Sequence, residues 1–195
     1  MSVSNFFLLW RQILRNPKDL GTIAPSSQFL ARSLVDAANL TQDQRIVEVG
    51  AGTGPLTKWI WPEVNEKRFI ALEPNRAMVE VLKGHFEGIQ VFEQKVEFLQ
   101  GICKELNWDG VDRVLSSLPW SLFSEQDQEK GLQAISSVLT EHGRMLTLVY
   151  SHAQYFPSSI KLEKKFNQYF NHVYRTKTTW RNVPPGYWLV GERPK

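Results

Sequence analysis

The sequence predicts one α/β domain whose mostly parallel, seven-stranded sheet is finished by an antiparallel element. From about residue 45, short apolar runs alternate with longer segments of helical periodicity, which is typical of strands joined by crossover helices. A glycine-rich turn follows the first apolar run and leads into a helix. Near the carboxyl end, two strand-like segments are joined through residues 182–185, and this pair supplies the antiparallel element.

The elements follow from this alternation in chain order. The predicted strands cover residues 45–50, 68–72, 89–92, 112–116, 143–150, 171–181 and 186–193. The predicted helices cover residues 55–61, 75–86, 96–106, 125–139 and 158–170. We assign residues 1–40 to amino-terminal amphipathic and lid helices, and residues 41–195 to a single globular unit.

Length and composition agree with this interpretation. The 195 residues suit one domain with a sizeable core, and a hydrophobic fraction of 42% is ordinary for a soluble globular protein. No apolar run reaches about 18 residues, so we expect no bilayer-spanning helix. Cys103 is the single cysteine, which excludes an internal disulfide and a cysteine-rich metal site and favours the reducing cytosol. The net charge of +3 is too small to indicate a nucleic-acid partner.

Residues 48–54, Glu-Val-Gly-Ala-Gly-Thr-Gly, connect the first strand to a helix. Glycines let the backbone turn sharply and let a ligand approach without a Cβ in the way. Glu73 ends the second strand, 19 residues after Gly54, where a carboxylate can accept hydrogen bonds from both hydroxyls of a ribose. Pro55 stands where a dehydrogenase would need a small residue, so NAD is disfavoured. The alternative is a glycine-rich turn that binds nothing.

This pattern, with residues 72–75 reading Leu-Glu-Pro-Asn, resembles the class I S-adenosylmethionine-dependent methyltransferases over about residues 45–150. The resemblance implies a Rossmann-like fold and S-adenosylmethionine as the cofactor. The cofactor-binding residues that it suggests are Glu48, Gly50, Ala51, Gly52, Gly54, Glu73, Pro74, Lys95, Val96 and Ser116. The family usually has an Asp near the adenine after the third strand, whereas residues 93–97 read Glu-Gln-Lys-Val-Glu. Only the backbone at Lys95 and Val96 is therefore expected to contact the adenine.

The fourth strand ends in residues 116–120, Ser-Ser-Leu-Pro-Trp, similar to the Asn-Pro-Pro-Tyr or Asn-Leu-Pro-Tyr loop of amine-directed methyltransferases. That resemblance implies loop oxygens that accept hydrogen bonds from the target nitrogen, and a ring beside it that favours a cationic amine. The alternative is a strand-ending turn with a buried Trp. Tyr150 and His152 follow the fifth strand, where Tyr150 can hold the ammonium and His152, unless it is a plain surface histidine, can take its proton. The catalytic candidates are Ser117, Leu118, Pro119, Trp120, Tyr150 and His152.

Two more segments narrow the resemblance. Residues 19–27 read Asp-Leu-Gly-Thr-Ile-Ala-Pro-Ser-Ser, and residues 180–185 read Trp-Arg-Asn-Val-Pro-Pro. With the loop at 116–120 they resemble the bacterial phospholipid N-methyltransferases, which methylate phosphatidylethanolamine toward phosphatidylcholine. We expect Ser26, Ser27 and Arg181 to bind a lipid phosphate. Alternatively, residues 25–27 are a helix N-cap and residues 180–182 a plain strand end.

Residues 5–15 form a predicted amphipathic helix with an apolar face and nearby arginines. Such a helix suits an anionic membrane interface, where aromatic and aliphatic side chains enter and basic ones are attracted. The residues that we expect at the membrane are Phe6, Phe7, Leu9, Trp10, Arg11, Ile13, Leu14 and Arg15. The alternative is a helix packed on the sheet over the cofactor cleft. We expect a cytoplasmic protein that is peripherally attached to the inner face of the cytoplasmic membrane.

Two other functions remain open. A ribosomal-RNA adenine N6-methyltransferase has a similar loop but normally carries an additional helical carboxyl-terminal domain. A non-catalytic, membrane-associated protein that keeps the cofactor fold is the second alternative. The preferred interpretation has a phospholipid substrate and an anionic membrane surface as partners, with neither nucleic acid nor metal.

Overall fold

The computed structural model describes residues 27–151, residue 155 and residues 157–195, and within these ranges seven strands form one sheet. The strands are β1 (Ile46–Val49), β2 (Phe69–Leu72), β3 (Gln90–Phe92), β4 (Val111–Ser116), β5 (Leu139–Tyr150), β6 (Phe170–Arg175) and β7 (Gly186–Pro194). Their order is β3-β2-β1-β4-β5-β7-β6. The first five pair in parallel, and β7 runs antiparallel to both β5 and β6. The predicted sheet is therefore confirmed.

The helices cover the two faces of this sheet. They are α1 (Gln28–Ala38), α2 (Thr57–Ile60), α3 (Arg76–His85), α4 (Leu99–Glu105), α5 (Glu125–Ser136) and α6 (Pro157–Tyr169). Short 3-10 helices lie at Trp61–Glu63, Glu66–Arg68, Val96–Phe98 and Trp120–Leu122. Ser27, Asn75 and Ser124 each cap a helix, because their side-chain oxygens accept hydrogen bonds from N–H groups of the first turn. None of the described helices is long and apolar enough to cross a bilayer.

Two apolar clusters lie on opposite faces of the sheet. All four residues of β1 are buried, with Val47 and Val49 in one cluster and Ile46 in the other. Successive side chains of a strand point to opposite faces, so a central strand covered on both sides is apolar throughout. This explains why β2 is a continuous apolar run in the sequence, and why β1 is apolar except for the buried Glu48.

Some predicted boundaries were wrong. The helix predicted at residues 55–61 is one α-turn, Thr57–Ile60, followed by a 3-10 turn, because Pro62 has no N–H to continue the helix. β5 begins at Leu139 rather than at residue 143, because Leu139 pairs with Val111. The strand predicted at residues 171–181 ends at Arg175, and beyond it the structure has only an isolated bridge between Thr179 and Gly186.

The carboxyl ends of β1, β2 and β4 meet at one edge of the sheet. In the register, Val49 is opposite both Leu72 and Ser116. The chain leaves β1 toward β2 on one side, whereas β4 continues toward β5 on the other. In open α/β sheets, ligands bind at such a switch point, outside the carboxyl ends of the strands.

Candidate active site

The glycine-rich turn lies at this switch point. Gly50 and Gly52 have φ angles of +76° and +59°, in the left-handed region that favours glycine. A Cβ added at Gly50 would meet Leu118 Cδ2 at 2.7 Å, and one at Gly54 would meet the Phe86 ring at 2.6 Å. At Gly52, an added Cβ would meet no atom within 4 Å. Packing therefore requires glycine at positions 50 and 54, whereas Gly52 presents bare backbone to open space.

Glu73 connects the ends of β1 and β2. Its carboxylate accepts hydrogen bonds from the backbone N–H of Gly52 (3.0 Å) and of Asn75 (2.9 Å), one on each oxygen. The side chain is only 5% exposed, and burial raises its pKa although both amides act to lower it. Each carboxylate oxygen keeps a second lone pair, so a ribose hydroxyl can still donate to it. Glu73 thus has a structural role that the sequence analysis missed, and its predicted ribose contact remains a prediction.

Glu48 is fully buried beneath α2. One of its oxygens accepts a hydrogen bond from Thr57 Oγ1 at 2.7 Å, and the other, Oε1, is buried without a partner in the described structure. Burial, with a smaller contribution from the nearby Glu73, raises the pKa of Glu48 to about 8, although the hydrogen bond from Thr57 acts to lower it. An unpaired buried oxygen is unfavourable unless it is protonated or meets a donor. Glu48 is therefore suited to a neutral carboxyl group or to a ligand that carries a hydrogen-bond donor.

The loop after β4 touches the glycine turn directly. Ser117 Oγ donates to the carbonyl oxygen of Gly50 at 2.5 Å, and the Ser117 N–H donates to Val49. Ser117, Leu118 and Pro119 are all partly exposed. A hydroxyl that donates one hydrogen bond still has lone pairs to accept others. The structure therefore brings an acceptor on a partly exposed residue, Ser117 Oγ, to the rim of the predicted cofactor site.

The Trp120 ring was predicted to lie beside the substrate amine, but the structure buries it in the core. Trp120 is 2% exposed, and its indole N–H donates to Ser116 Oγ at 3.0 Å. The ring packs so closely on Gly131 that an added Cβ there would lie 2.9 Å from it. The Trp120 carbonyl accepts a hydrogen bond from the Gln128 side chain at 2.7 Å. Trp120 is a core residue that shapes the loop, because a buried indole N–H needs a partner and Ser116 supplies it.

The remaining predicted cofactor residues lie around the same edge. Ala51 is buried, and its N–H donates to the Leu72 carbonyl at 3.2 Å. Pro74 and Lys95 are exposed. Val96 lies in the core and begins a 3-10 turn, so its side chain is not directed toward a ligand. This arrangement removes the Val96 side chain from the expected adenine contact, and the contact by the backbone at residues 95–96 remains a prediction.

The predicted substrate residues occupy the neighbouring part of the edge. Tyr150 ends β5 opposite Gly186, and burial raises the pKa of its phenol. The Ser27 hydroxyl caps α1, as the alternative interpretation expected. Arg181 is exposed, with its guanidinium 4.9 Å from the centre of the Phe29 ring. His152, Ser26 and the membrane-directed residues 5–15 lie outside the described residues.

The sequence analysis also missed three polar residues that organise this edge. Thr57 is the partner of Glu48, Asn75 links α3 to Glu73, and Asn182 is buried and accepts from the Ser27 N–H at 2.7 Å. Only Asn75 could have been recognised, because an Asn immediately before a helical pattern is a capping signal. Among the described residues, no group of three His, Cys, Asp or Glu side chains is placed to hold a metal ion.

Comparison with known sequences adds a family. The model described as "Methyltransferase domain" matches residues 46–143. An ornithine lipid N-methyltransferase from Singulisphaera acidiphila is 30% identical over 145 residues, covering 72% of this chain and 76% of that protein. A ribosomal RNA small subunit methyltransferase A from Chlorobium phaeobacteroides is 30% identical over 105 residues, covering 54% of this chain but only 38% of that protein.

Solved structures resemble the fold at low sequence identity. A precorrin 8w decarboxylase from Methanobacterium thermoautotrophicum has a TM-score of 0.63 and 14% identity, covering 87% of this chain and 92% of that one. Magnesium protoporphyrin IX methyltransferase from Synechocystis, solved with bound S-adenosylmethionine, has a TM-score of 0.60 and 14% identity, covering 84% and 76%. Both structures support the predicted Rossmann-like fold.

Proposed function

The chain belongs to the class I S-adenosylmethionine-dependent methyltransferases, and we propose that it methylates the headgroup amine of a membrane phospholipid. The preferred substrate is phosphatidylethanolamine, converted toward phosphatidylcholine. The observation that carries this proposal is the 2.5 Å hydrogen bond from Ser117 to Gly50, which sets an amine-type loop against the glycine turn. The ornithine lipid N-methyltransferase among its relatives supports an amine-bearing lipid as the substrate class.

We infer that the residues around the glycine turn hold S-adenosylmethionine, the cofactor of this family. Gly52 offers uncovered backbone, Glu73 has free lone pairs for the ribose hydroxyls, and Glu48 has a buried oxygen without a partner in the described structure. When bound, this cofactor supplies a methyl group on a positively charged sulfur. The site fits this cofactor because two carboxylates, Glu48 and Glu73, can accept hydrogen bonds beside the open backbone of Gly52.

Ser117 and Tyr150 would orient the attacking amine. The bound cofactor would supply the methyl carbon to the nitrogen with its own sulfur as the leaving group, and the amine must first lose a proton to expose its lone pair. A primary amine like that of Lys has a pKa of about 10.4 and is mostly protonated at neutral pH. Ser117 Oγ accepts a hydrogen bond from the nitrogen, and the uncharged phenol of Tyr150 contacts it from the neighbouring strand. We propose His152 as the group that takes the proton.

A labelled-methyl assay on vesicles tests this function. We expect the wild type to label phosphatidylethanolamine, and Ser117→Ala to lower kcat about 10- to 100-fold through the loss of one hydrogen bond to a developing cation. Ser137→Ala, an exposed serine at the end of α5, is the matched control and should retain full activity. Calorimetric binding of S-adenosylhomocysteine should be equal in both variants. A Ser117→Ala enzyme with normal kcat would show that Ser117 does not orient the amine.

Ribosomal RNA is the second candidate substrate, supported by the relatives named ribosomal RNA small subunit methyltransferase A. This chain spans about a third of the length of those relatives. The same assay with an RNA fragment separates the two functions. Label on RNA and none on phosphatidylethanolamine or another amino-lipid would refute the lipid proposal and leave the methyltransferase assignment unchanged.

We also propose that residues 5–15 attach the enzyme to an anionic membrane. Arg11→Glu with Arg15→Glu should abolish cosedimentation with anionic vesicles, and added salt should weaken binding of the wild type. Binding that is insensitive to both treatments would favour the alternative, a helix packed on the sheet.

A further inference from the structure

The loop between β6 and β7, residues 176–185, exposes two large apolar side chains. Trp180 is 76% exposed and Val183 is 79% exposed. With Tyr155, they are the three most exposed large hydrophobic side chains in the described structure. Single exposed apolar residues are common on protein surfaces. Two in one short loop, beside a candidate active site, indicate a surface that meets an apolar partner.

This loop is tightly anchored. Asn182, which is 4% exposed, donates from its side-chain nitrogen to the Pro184 carbonyl at 2.6 Å and accepts from the Ser27 N–H at 2.7 Å. The Thr179 N–H donates to the Gly186 carbonyl at 2.7 Å. Trp180 and Val183 lie on either side of Asn182 and between Thr179 and Pro184, so an anchored backbone holds both exposed side chains in place.

The charges around the loop favour an anionic lipid surface over other apolar partners. Residues 176–185 contain no acidic residue, and both of their basic residues, Lys177 and Arg181, are exposed. Arg181 stacks on Phe29, which is itself partly exposed and extends the apolar area. Trp with adjacent Lys and Arg is the composition that membrane interfaces select, because the ring enters the headgroup region and the cations attract anionic lipid.

The loop also has the right position. Gly186, which follows it, pairs with Tyr150 at the carboxyl end of β5. β5 is next to β4, which leads into Ser117, so the loop is about 10 Å across the sheet edge from the candidate amine site, at two strand spacings. Ser27 joins the described domain to the amino-terminal segment and is hydrogen-bonded to this same loop. Ser27, where the chain continues toward residues 1–26, therefore lies beside the loop that exposes Trp180 and Val183.

We propose that the β6–β7 loop inserts Trp180 and Val183 into the headgroup region of an anionic membrane, directing the carboxyl edge of the sheet toward the bilayer. A headgroup amine then reaches Ser117 while its acyl chains stay in the membrane. This inference rests on the proposed lipid-directed function for its purpose, but membrane insertion can be measured without any methyl transfer.

The first experiment measures vesicle binding of the full chain. With vesicles of phosphatidylethanolamine and phosphatidylglycerol, Trp180→Ala combined with Val183→Ser should bind about tenfold more weakly than the wild type, and brominated lipids should quench less of its fluorescence. Tyr174→Ala, an exposed aromatic on the outer strand β6, is the matched control and should bind normally. Lys177→Gln should reduce the salt-sensitive part of vesicle binding. Lys67→Gln should not, because Lys67 precedes β2 and so lies at the opposite edge of the sheet from the loop.

The second experiment compares two forms of one substrate. The double variant should have a raised KM for phosphatidylethanolamine in vesicles and an unchanged rate on short-chain phosphatidylethanolamine dispersed in detergent. Vesicle binding and quenching equal to those of the wild type would overturn the inference. If the wild type methylates neither lipid form, the proposed function fails, whereas a binding defect confined to the double variant would still support insertion.

Discussion

Replacing Glu73 by Gln tests whether one carboxylate holds together the two turns of the candidate cofactor site. The carboxylate accepts the Gly52 N–H on one oxygen and the Asn75 N–H on the other. Gln has nearly the same shape but only one acceptor oxygen, and its NH₂ group would face the second backbone N–H. We therefore expect one of the two hydrogen bonds to be lost.

The size of the effect follows from that loss. A hydrogen bond to a charged group contributes about 1.5–3 kcal/mol, and a buried N–H left unpaired costs a similar amount. Because burial raises the pKa of Glu73, removing the charge also removes a desolvation cost. We expect the free energy of unfolding to fall by about 1–3 kcal/mol. For a chain of this length, that corresponds to a melting temperature lower by about 2–12 °C.

Two measurements check this prediction. Thermal unfolding gives the stability, and calorimetric titration with S-adenosylhomocysteine should show binding that is about 10- to 100-fold weaker, because the ribose loses a charged acceptor. Glu105→Gln, an exposed carboxylate at the end of α4, is the matched control and should change stability by less than about 0.5 kcal/mol. Equal melting temperatures and equal affinities in Glu73→Gln and the wild type would refute both roles.

Three further predictions concern the same edge. Gly52→Val should abolish S-adenosylhomocysteine binding in calorimetry at a stability cost of about 1–2 kcal/mol from its positive φ, whereas Gly101→Ala, equally free of neighbours but helical, should bind normally. Glu48 has a folded pKa of about 8, above its usual value, so protonation stabilises the fold at low pH and this contribution is lost as pH rises through 8. Chemical denaturation should thus show Glu48→Gln gaining stability relative to the wild type, by up to a few kcal/mol between pH 5 and pH 9, and a pH-independent difference would contradict the assignment. Trp120→Phe should lower stability by about 1–3 kcal/mol through the lost bond to Ser116 and leave kcat within about twofold, and a large loss of kcat at normal stability would restore the ring to the substrate site.

The sequence predicted the features of this edge that depend on neighbouring residues. The glycine turn, the acid at the end of β2 and the succession of strands and helices along the chain follow from short-range rules, because turn geometry and strand periodicity are encoded within a few residues. The orientation of side chains that depends on packing was harder to predict from the sequence. The Trp120 motif was recognised, but whether its ring faced a substrate or the core depended on Gly131, which leaves room for it, and on Ser116, which pairs with its N–H.

By itself, the sequence determined the fold class, the family and the residues at the switch point, since each is written in local spacing around residues 48–54 and Glu73. Only the tertiary structure decided which groups share an environment. Glu48 acquires its raised pKa from burial under α2, and Ser27 meets Asn182 across 155 positions of the chain. Burial and long-range hydrogen bonds arise when distant segments pack together, so no window of sequence contains them.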